Sequence, residues 1–231
     1  MSDFDASSCL ARYLALVRER PDRFTNPPGD IYEILLDPAQ MERARRDASD
    51  HRQAEGMPAD DTRVGVLAVD PYLLVLRDAV RFADGRYGLY NRLLVPAGAA
   101  ILPLFGDSIA LLHRFRHGTR RWHLEVPRGS FSGIGTVTEE ARRELLEEIG
   151  SVPTEIVHLG FLHSTTGCLD EEHQLFLARI ESIGTPDKHE AIESIKVLPT
   201  KTVERLIAEG EITDGPTLAA FLRARLRGYL T

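Results

Sequence analysis

Glu125-Val-Pro-Arg-Gly-Ser-Phe-Ser-Gly-Ile-Gly-Thr-Val-Thr-Glu-Glu-Ala-Arg-Arg-Glu-Leu-Leu-Glu-Glu-Ile-Gly150 reads as a glycine-bearing loop followed by a helix with grouped acids. Thr136-x-x-Glu139 has the pattern of a capping box, so a helix is predicted over Glu139 to Ile149. Gly150 suits its C-terminal stop. At about 100° per residue, Ala141, Leu145 and Ile149 share a side available to a sheet, interrupted by Arg142. Glu144, Glu147 and Glu148 fall within an arc of about 100° on another side. Carboxylates one turn apart repel by roughly 0.2–0.5 kcal/mol per pair. A divalent cation removes that repulsion, and hard Mg²⁺ prefers such oxygen ligands. Gly129, Gly133 and Gly135 let the preceding backbone come close to a metal or phosphate. A glutamate triplet alone is more often a solvated helix face. The loop, cap, Arg143-Glu144 pair and Glu147-Glu148-x-Gly150 ending in combination are much rarer.

Outward from this stretch, the chain alternates strand-like and helical character. Cys9 to Arg20 is predicted as a helix with Leu10, Leu14 and Val17 on one side, stopping before Pro21. Phe24 to Gly29 is a connector, and Pro38 to Glu55 a second, mostly polar helix. From Arg63 the apolar runs are strands: Val64 to Val69, Tyr72 to Phe82, Tyr87 to Val95, Ala99 to Phe105, Ile109 to Phe115 and Trp122 to Val126. Asp84-Gly85 and Gly106-Asp107 are the turns. Beyond the helix come Ile156 to Leu162, Gln174 to Ile180 and Glu193 to Leu198. Helices then follow over Thr202 to Glu209 and Pro216 to Leu230, with Leu218, Leu222 and Leu226 aligned. Mixed strands with central and terminal helices predict an α/β domain over residues 63–231, preceded by a helical extension over 1–62.

Composition excludes several classes. Across 231 residues, 35 acids face 28 bases for a net charge of −7, which disfavours nonspecific binding of nucleic acid. The longest uncharged apolar stretch, Leu93 to Gly106, holds 14 residues and is broken by proline and glycine. A membrane-spanning helix needs roughly 20 residues. No secretory signal is visible at the acidic start, and Cys9 and Cys168 make no disulfide framework, so the cytoplasm is the expected compartment. His113, His117 and His123 lack the partners of a metal site. Trp122 is expected as a core or hairpin anchor rather than a base-stacking platform, while Phe115 and Tyr90 suit packing or an adenine pocket alike.

The segment resembles the Nudix box, G-x5-E-x7-R-E-U-x-E-E-x-G-U with U apolar. Gly129 takes the first glycine; Arg143, Glu144 and Leu145 take R-E-U; Glu147, Glu148 and Gly150 take E-E-x-G. Two positions depart: Gly135 stands where the first glutamate belongs, and Ser151 occupies the final apolar position. The missing glutamate leaves Arg143, a loop-supporting residue in the family, in need of another partner. Further likeness extends from about Val64 to Leu230. Glu125-Val-Pro-Arg-Gly129 is similar to the Glu-x-Pro-Ala-Gly entrance of ADP-ribose and nucleoside-diphosphate-sugar pyrophosphatases. His113-Arg-Phe-Arg116 is similar to their Arg-Gln-Tyr-Arg strand. Ser164 to Glu171 resembles the loop before their Leu-Phe-Leu-Ala strand, here Leu175 to Ala178, without its proline. Gly210-Glu-Ile-Thr-Asp-Gly-Pro-Thr-Leu218 resembles their Gly-Glu-Ile-x-Asp-x-x-Thr segment.

The resemblance implies an α/β/α sandwich with a mixed sheet and hydrolysis of the pyrophosphate of ADP-ribose or a related nucleoside diphosphate derivative. It implies Mg²⁺, with Mn²⁺ as a substitute, held by Glu144, Glu147, Glu148 and the carbonyl of Arg128. Glu147 or Glu171 would serve the reacting water, with Glu172 as a neighbouring alternative. Arg116, Glu125 and Gly129 would face substrate, and a homodimer is expected. Two other functions remain compatible: a ligand-binding module with little hydrolysis, kept open by Gly135, and a dinucleotide or nucleotide-sugar hydrolase.

Overall fold

A computed structural model describes residues 5–131, 135–185 and 191–230. The stretch 132–134, which includes Gly133 of the glycine loop, lies outside them, as do the first four residues of the acidic start. The chain forms two compact units: Met1–Val95 with Thr165–Asp170, and Pro96–Ser164 with Glu171–Thr231.

In the first unit, α1 (Ala6–Glu19) is capped by Asp5, whose carboxylate accepts from the amide of Ser8. The helix α2 (Pro38–Ala54) is capped in the same way by Asp37. Strands β2 (Gly65–Asp70), β3 (Leu73–Arg81) and β4 (Tyr87–Leu94) form an antiparallel meander. Two strands too short to announce themselves join it: β1 (Glu33–Ile34) beside β3, and β10 (Leu169–Asp170) parallel to β4. The apolar face of α1 is turned by one residue from the expected one. Cys9, Tyr13 and Leu16 are buried, while Leu10, Leu14 and Val17 pack at the margin.

Tyr13 is fully buried, and its hydroxyl donates to buried Asp78, which Arg92 also holds at 2.6 Å. Burial first, then the charge of Asp78, raises the pKa of this hydroxyl. Tyr13→Phe removes a hydrogen bond to a charged group and is expected to cost about 1.5–3 kcal/mol, read from the urea midpoint. A group whose pKa is raised by folding stabilises fully below its unfolded pKa. The difference between wild type and Tyr13→Phe is therefore expected to shrink as pH rises beyond about 10. A difference that persists at higher pH contradicts this assignment.

The second unit is a three-layer sandwich. Its sheet holds β5 (Gly98–Phe105), β6 (Ser108–Arg116), β7 (Arg121–Glu125), β8 (Arg128–Ser130), β9 (Glu155–Leu162), β11 (His173–Ile180) and β12 (Ile192–Pro199). The path runs β12-β6-β5-β11-β9, with β7 on β6 and β8 on β5. Among the described residues only β5 and β11 run parallel within it, so the sheet is mixed.

Both faces of β5 are covered, which is why it reads as a continuous apolar run rather than an alternation. Successive side chains still point to opposite faces. Ala99 and Ile101 meet Ala141, Leu145 and Ile149 of α3 (Val137–Ile149). Ala100, Leu102 and Leu104 meet Val203 and Leu206 of α4 (Thr200–Ala208) and Ala220, Phe221 and Ala224 of α5 (Gly215–Leu226). The last helix departs from expectation. It ends at Leu226 rather than Leu230, and Leu222 and Leu226 are 56% and 78% exposed. Thr217, Ala220, Phe221 and Ala224 face inward instead.

Candidate active site

The site is built where α3 meets β8, the end of β7 and the start of β11. The capping box is complete: the Thr136 hydroxyl accepts from the Glu139 amide at 3.2 Å, and Glu139 accepts from the Thr136 amide at 2.6 Å. Gly150 closes the helix in the left-handed conformation at φ 69°. These local devices set the rotation of the helix, so its carboxylates are aimed by sequence.

The glutamate triplet divides. Glu144 and Glu148, one turn apart, are buried, whereas the Glu147 side chain is 45% exposed at the rim. Gly129 is what admits Glu144. A Cβ at that position would land on the Glu144 carboxylate, so only glycine lets β8 lie against it. Glu148 accepts from the amide of Arg128 at 3.0 Å and from the guanidinium of Arg114. Arg114 is itself buried on β6.

Arg143 bonds Glu140, Glu144 and Glu147. Its hydrogen bond to Glu140, followed by that to Glu147, raises its pKa above the ordinary arginine value. Buried Glu140, one turn before Arg143, is thus a partner supplied by the helix, where the pattern that the sequence resembles has a glutamate at the position of Gly135. Gly135 has φ 79°, and a Cβ there would come within 2.7 Å of the Glu139 carboxylate that forms the cap. Gly135→Glu is therefore expected to leave turnover no higher and to lower stability by about 1–3 kcal/mol, the cost of a left-handed non-glycine residue. Higher turnover at an unchanged urea midpoint would contradict this account.

Arg116 reaches Glu125 through its Nε at 3.0 Å. Glu125 is fully buried, and Arg128 approaches it at 3.6 Å. Arg128 also pairs with Asp214 at 3.0 Å. Asp214 caps α5 through the amide and hydroxyl of Thr217, and the Thr217 hydroxyl in turn accepts from the amide of Val126 at 2.9 Å. The C-terminal helix is thereby tied to the backbone that carries Glu125 and Arg128. The Gly210–Leu218 segment stood out in sequence by likeness; the cap that Asp214 makes there and its tie to Val126 did not.

Glu171 is held on both carboxylate oxygens. The Ser164 hydroxyl donates to one, and the Nε2 of His173 lies 2.8 Å from the other. The hydrogen bond from His173 is the leading cause that lowers the Glu171 pKa, against the effect of burial. Glu172 is more exposed, with His163 at 3.8 Å. Sequence alone did not single out Arg114, Glu140, Asp214, Thr217 or His173. An Arg–Glu pair one helical turn apart was the available signal for Glu140.

His113 pairs with Glu193 and stacks on half-exposed Trp122, while His123 meets Thr119 and His117 meets Arg120. Tyr90 belongs to the other unit, where its hydroxyl donates to the carbonyl of Gly167.

Among the described residues, no three His, Cys, Asp or Glu side chains already converge on a metal position. The donor set nevertheless fits a hard divalent cation. All its candidate donors are oxygens. Glu125, Glu140, Glu144, Glu147, Glu148 and Asp214 against Arg114, Arg116, Arg128 and Arg143 leave a charge sum of −2. The glycine cradle brings Glu144 against the main chain of β8.

No curated protein matches the sequence. A solved structure described as "Crystal structure of ADP compounds hydrolase" superposes with a TM-score of 0.62 at 22% identity, over 71% of this chain and 91% of that one. At that identity the likeness establishes the fold. The NUDIX domain profile matches residues 95–221, which include all of α3 and its loop. Because that match spans more than half of the sequence, the chain belongs to the Nudix hydrolase family.

Proposed function

We propose that this protein hydrolyses the pyrophosphate bond of ADP-ribose or a related nucleoside diphosphate derivative, releasing a nucleoside monophosphate and a sugar phosphate. Nudix hydrolases use divalent metal ions; the ion proposed here is Mg²⁺, with Mn²⁺ as a substitute. The observation that carries this proposal is the burial of Glu144 and Glu148 against the glycine-bearing β8, with guanidinium groups around them. A solvated acidic helix face has neither feature.

The residues divide the work. Glu144, Glu147 and Glu148, with the carbonyl of Arg128, would hold the cation. When bound, it neutralises phosphate charge and lowers the pKa of the reacting water. Arg116 binds a phosphate oxygen, its guanidinium matching phosphate geometry. Glu125 supports that contact from beneath, since it is buried against Arg116. Glu171 takes the proton of the attacking water. It is ionised across neutral pH, and the hydrogen bonds from His173 and Ser164 hold its carboxylate in place. Glu140 gives Arg143 a carboxylate partner in place of one at 135 and keeps the guanidinium beside Glu144 and Glu147.

The test is a panel of ADP-ribose, nucleotide sugars and dinucleoside diphosphates with Mg²⁺ or Mn²⁺, the products being resolved by mass. Cleavage of the anhydride is the expected outcome. Tight binding of ADP-ribose by calorimetry with no product under either metal would overturn the proposal.

A further inference from the structure

We infer that His173 is a positioning residue for the hydrolysis, acting through Glu171. This rests on the hydrolase proposed above and assigns it a residue outside the metal-binding helix. His173 opens β11 and is held in register on both sides, by Gly98 of β5 and Leu162 of β9. Its ring is mostly buried, with the side chain 13% exposed. Nε2 lies 2.8 Å from one Glu171 oxygen, and the Ser164 hydroxyl occupies the other.

A carboxylate only accepts hydrogen bonds, so Nε2 carries the hydrogen toward Glu171. Nδ1 is buried and has no hydrogen-bond partner among the described residues. The seat beneath the ring is made by a missing side chain. A Cβ on Gly98 would come within 2.8 Å of Nδ1 and 2.7 Å of the carbonyl oxygen of Gly129. The imidazole and the Gly129 carbonyl thus both lie close over Gly98, and the other nitrogen of the ring meets the carboxylate of Glu171. A ring kept buried with one nitrogen unsatisfied is poorly explained as filler, because an apolar side chain would fill the same space without that penalty. Its use is to fix where the Glu171 carboxylate points relative to the helix glutamates.

The experiment is a mutant cycle on the metal-loaded full chain, with the substrate that the panel identifies. His173→Phe fills the space without a donor, and His173→Gln retains an N–H. Proper folding of each is checked by thermal melting, with His173→Ala as the second donor-free variant should the larger ring fail to fit. His173→Phe is expected to lower kcat roughly 10- to 100-fold with KM nearly unchanged, as a misdirected catalytic group does. His173→Gln should recover most of that loss. In the Glu171→Gln background, adding His173→Phe should have no further effect, because the residue acts through the group already removed.

Wild-type kcat in His173→Phe, or losses that multiply in the double variant, would overturn the inference while leaving the hydrolase intact. A wild-type protein that cleaves no member of the panel would overturn both.

Discussion

Glu148→Gln is expected to reduce turnover about 1,000-fold, consistent with several kcal/mol of charge stabilisation at about 1.4 kcal/mol per factor of ten. Glu148 is buried with the Arg128 amide on one oxygen and Arg114 on the other. Glutamine keeps the shape but presents a donor on one side, where both partners are donors. It also removes the charge opposite buried Arg114, and breaking a buried pair costs about 3–5 kcal/mol. The variant should therefore melt earlier yet remain folded at assay temperature, and calorimetry with Mn²⁺ should show weakened binding. Near-normal turnover would remove Glu148 from the proposed site.

Gly129→Ala carries the second large effect. The added methyl would coincide with the Glu144 carboxylate, the end of a side chain that Arg143 holds, so one of the two must move. Either β8 lifts from α3 or Glu144 turns away. Both displace a proposed metal ligand by about 1 Å or more, and such a displacement lowers rate by about 100-fold. The paired control is Glu144→Ala in the same background. With the carboxylate gone, the methyl has room, so stability lost in Gly129→Ala should be largely regained although activity is not. A Gly129→Ala enzyme with ordinary kcat would show that the approach of β8 to Glu144 has no catalytic consequence.

Much of α3 was legible before any coordinates, because it is local. The Thr136–Glu139 cap, the Gly150 stop and the inward side of Ala141, Leu145 and Ile149 depend on residues within one or two turns. The long apolar runs of β5 and β6 were equally readable. Strands of two or three residues were not, since β1, β8 and β10 acquire their form from the neighbours they pair with. The α5 face was misjudged for a related reason. Leucines at i, i+4 mark an amphipathic side in isolation, but the sheet takes the side with the small residues Ala220 and Ala224 and the ring of Phe221, which lets the helix approach closely.

For the site, sequence alone determined the chemistry on offer: grouped carboxylates on a capped helix, a glycine where backbone must come near, and a family pattern that names both. Tertiary structure decided which of those carboxylates turn inward, and that Arg114, Asp214, Thr217 and His173 brace the rest. The physical reason is range. Caps and helical faces are set by neighbours a turn away, whereas a buried charge takes its partner from whichever strand or helix folding brings within about 3 Å, and that distance has no signature along the chain.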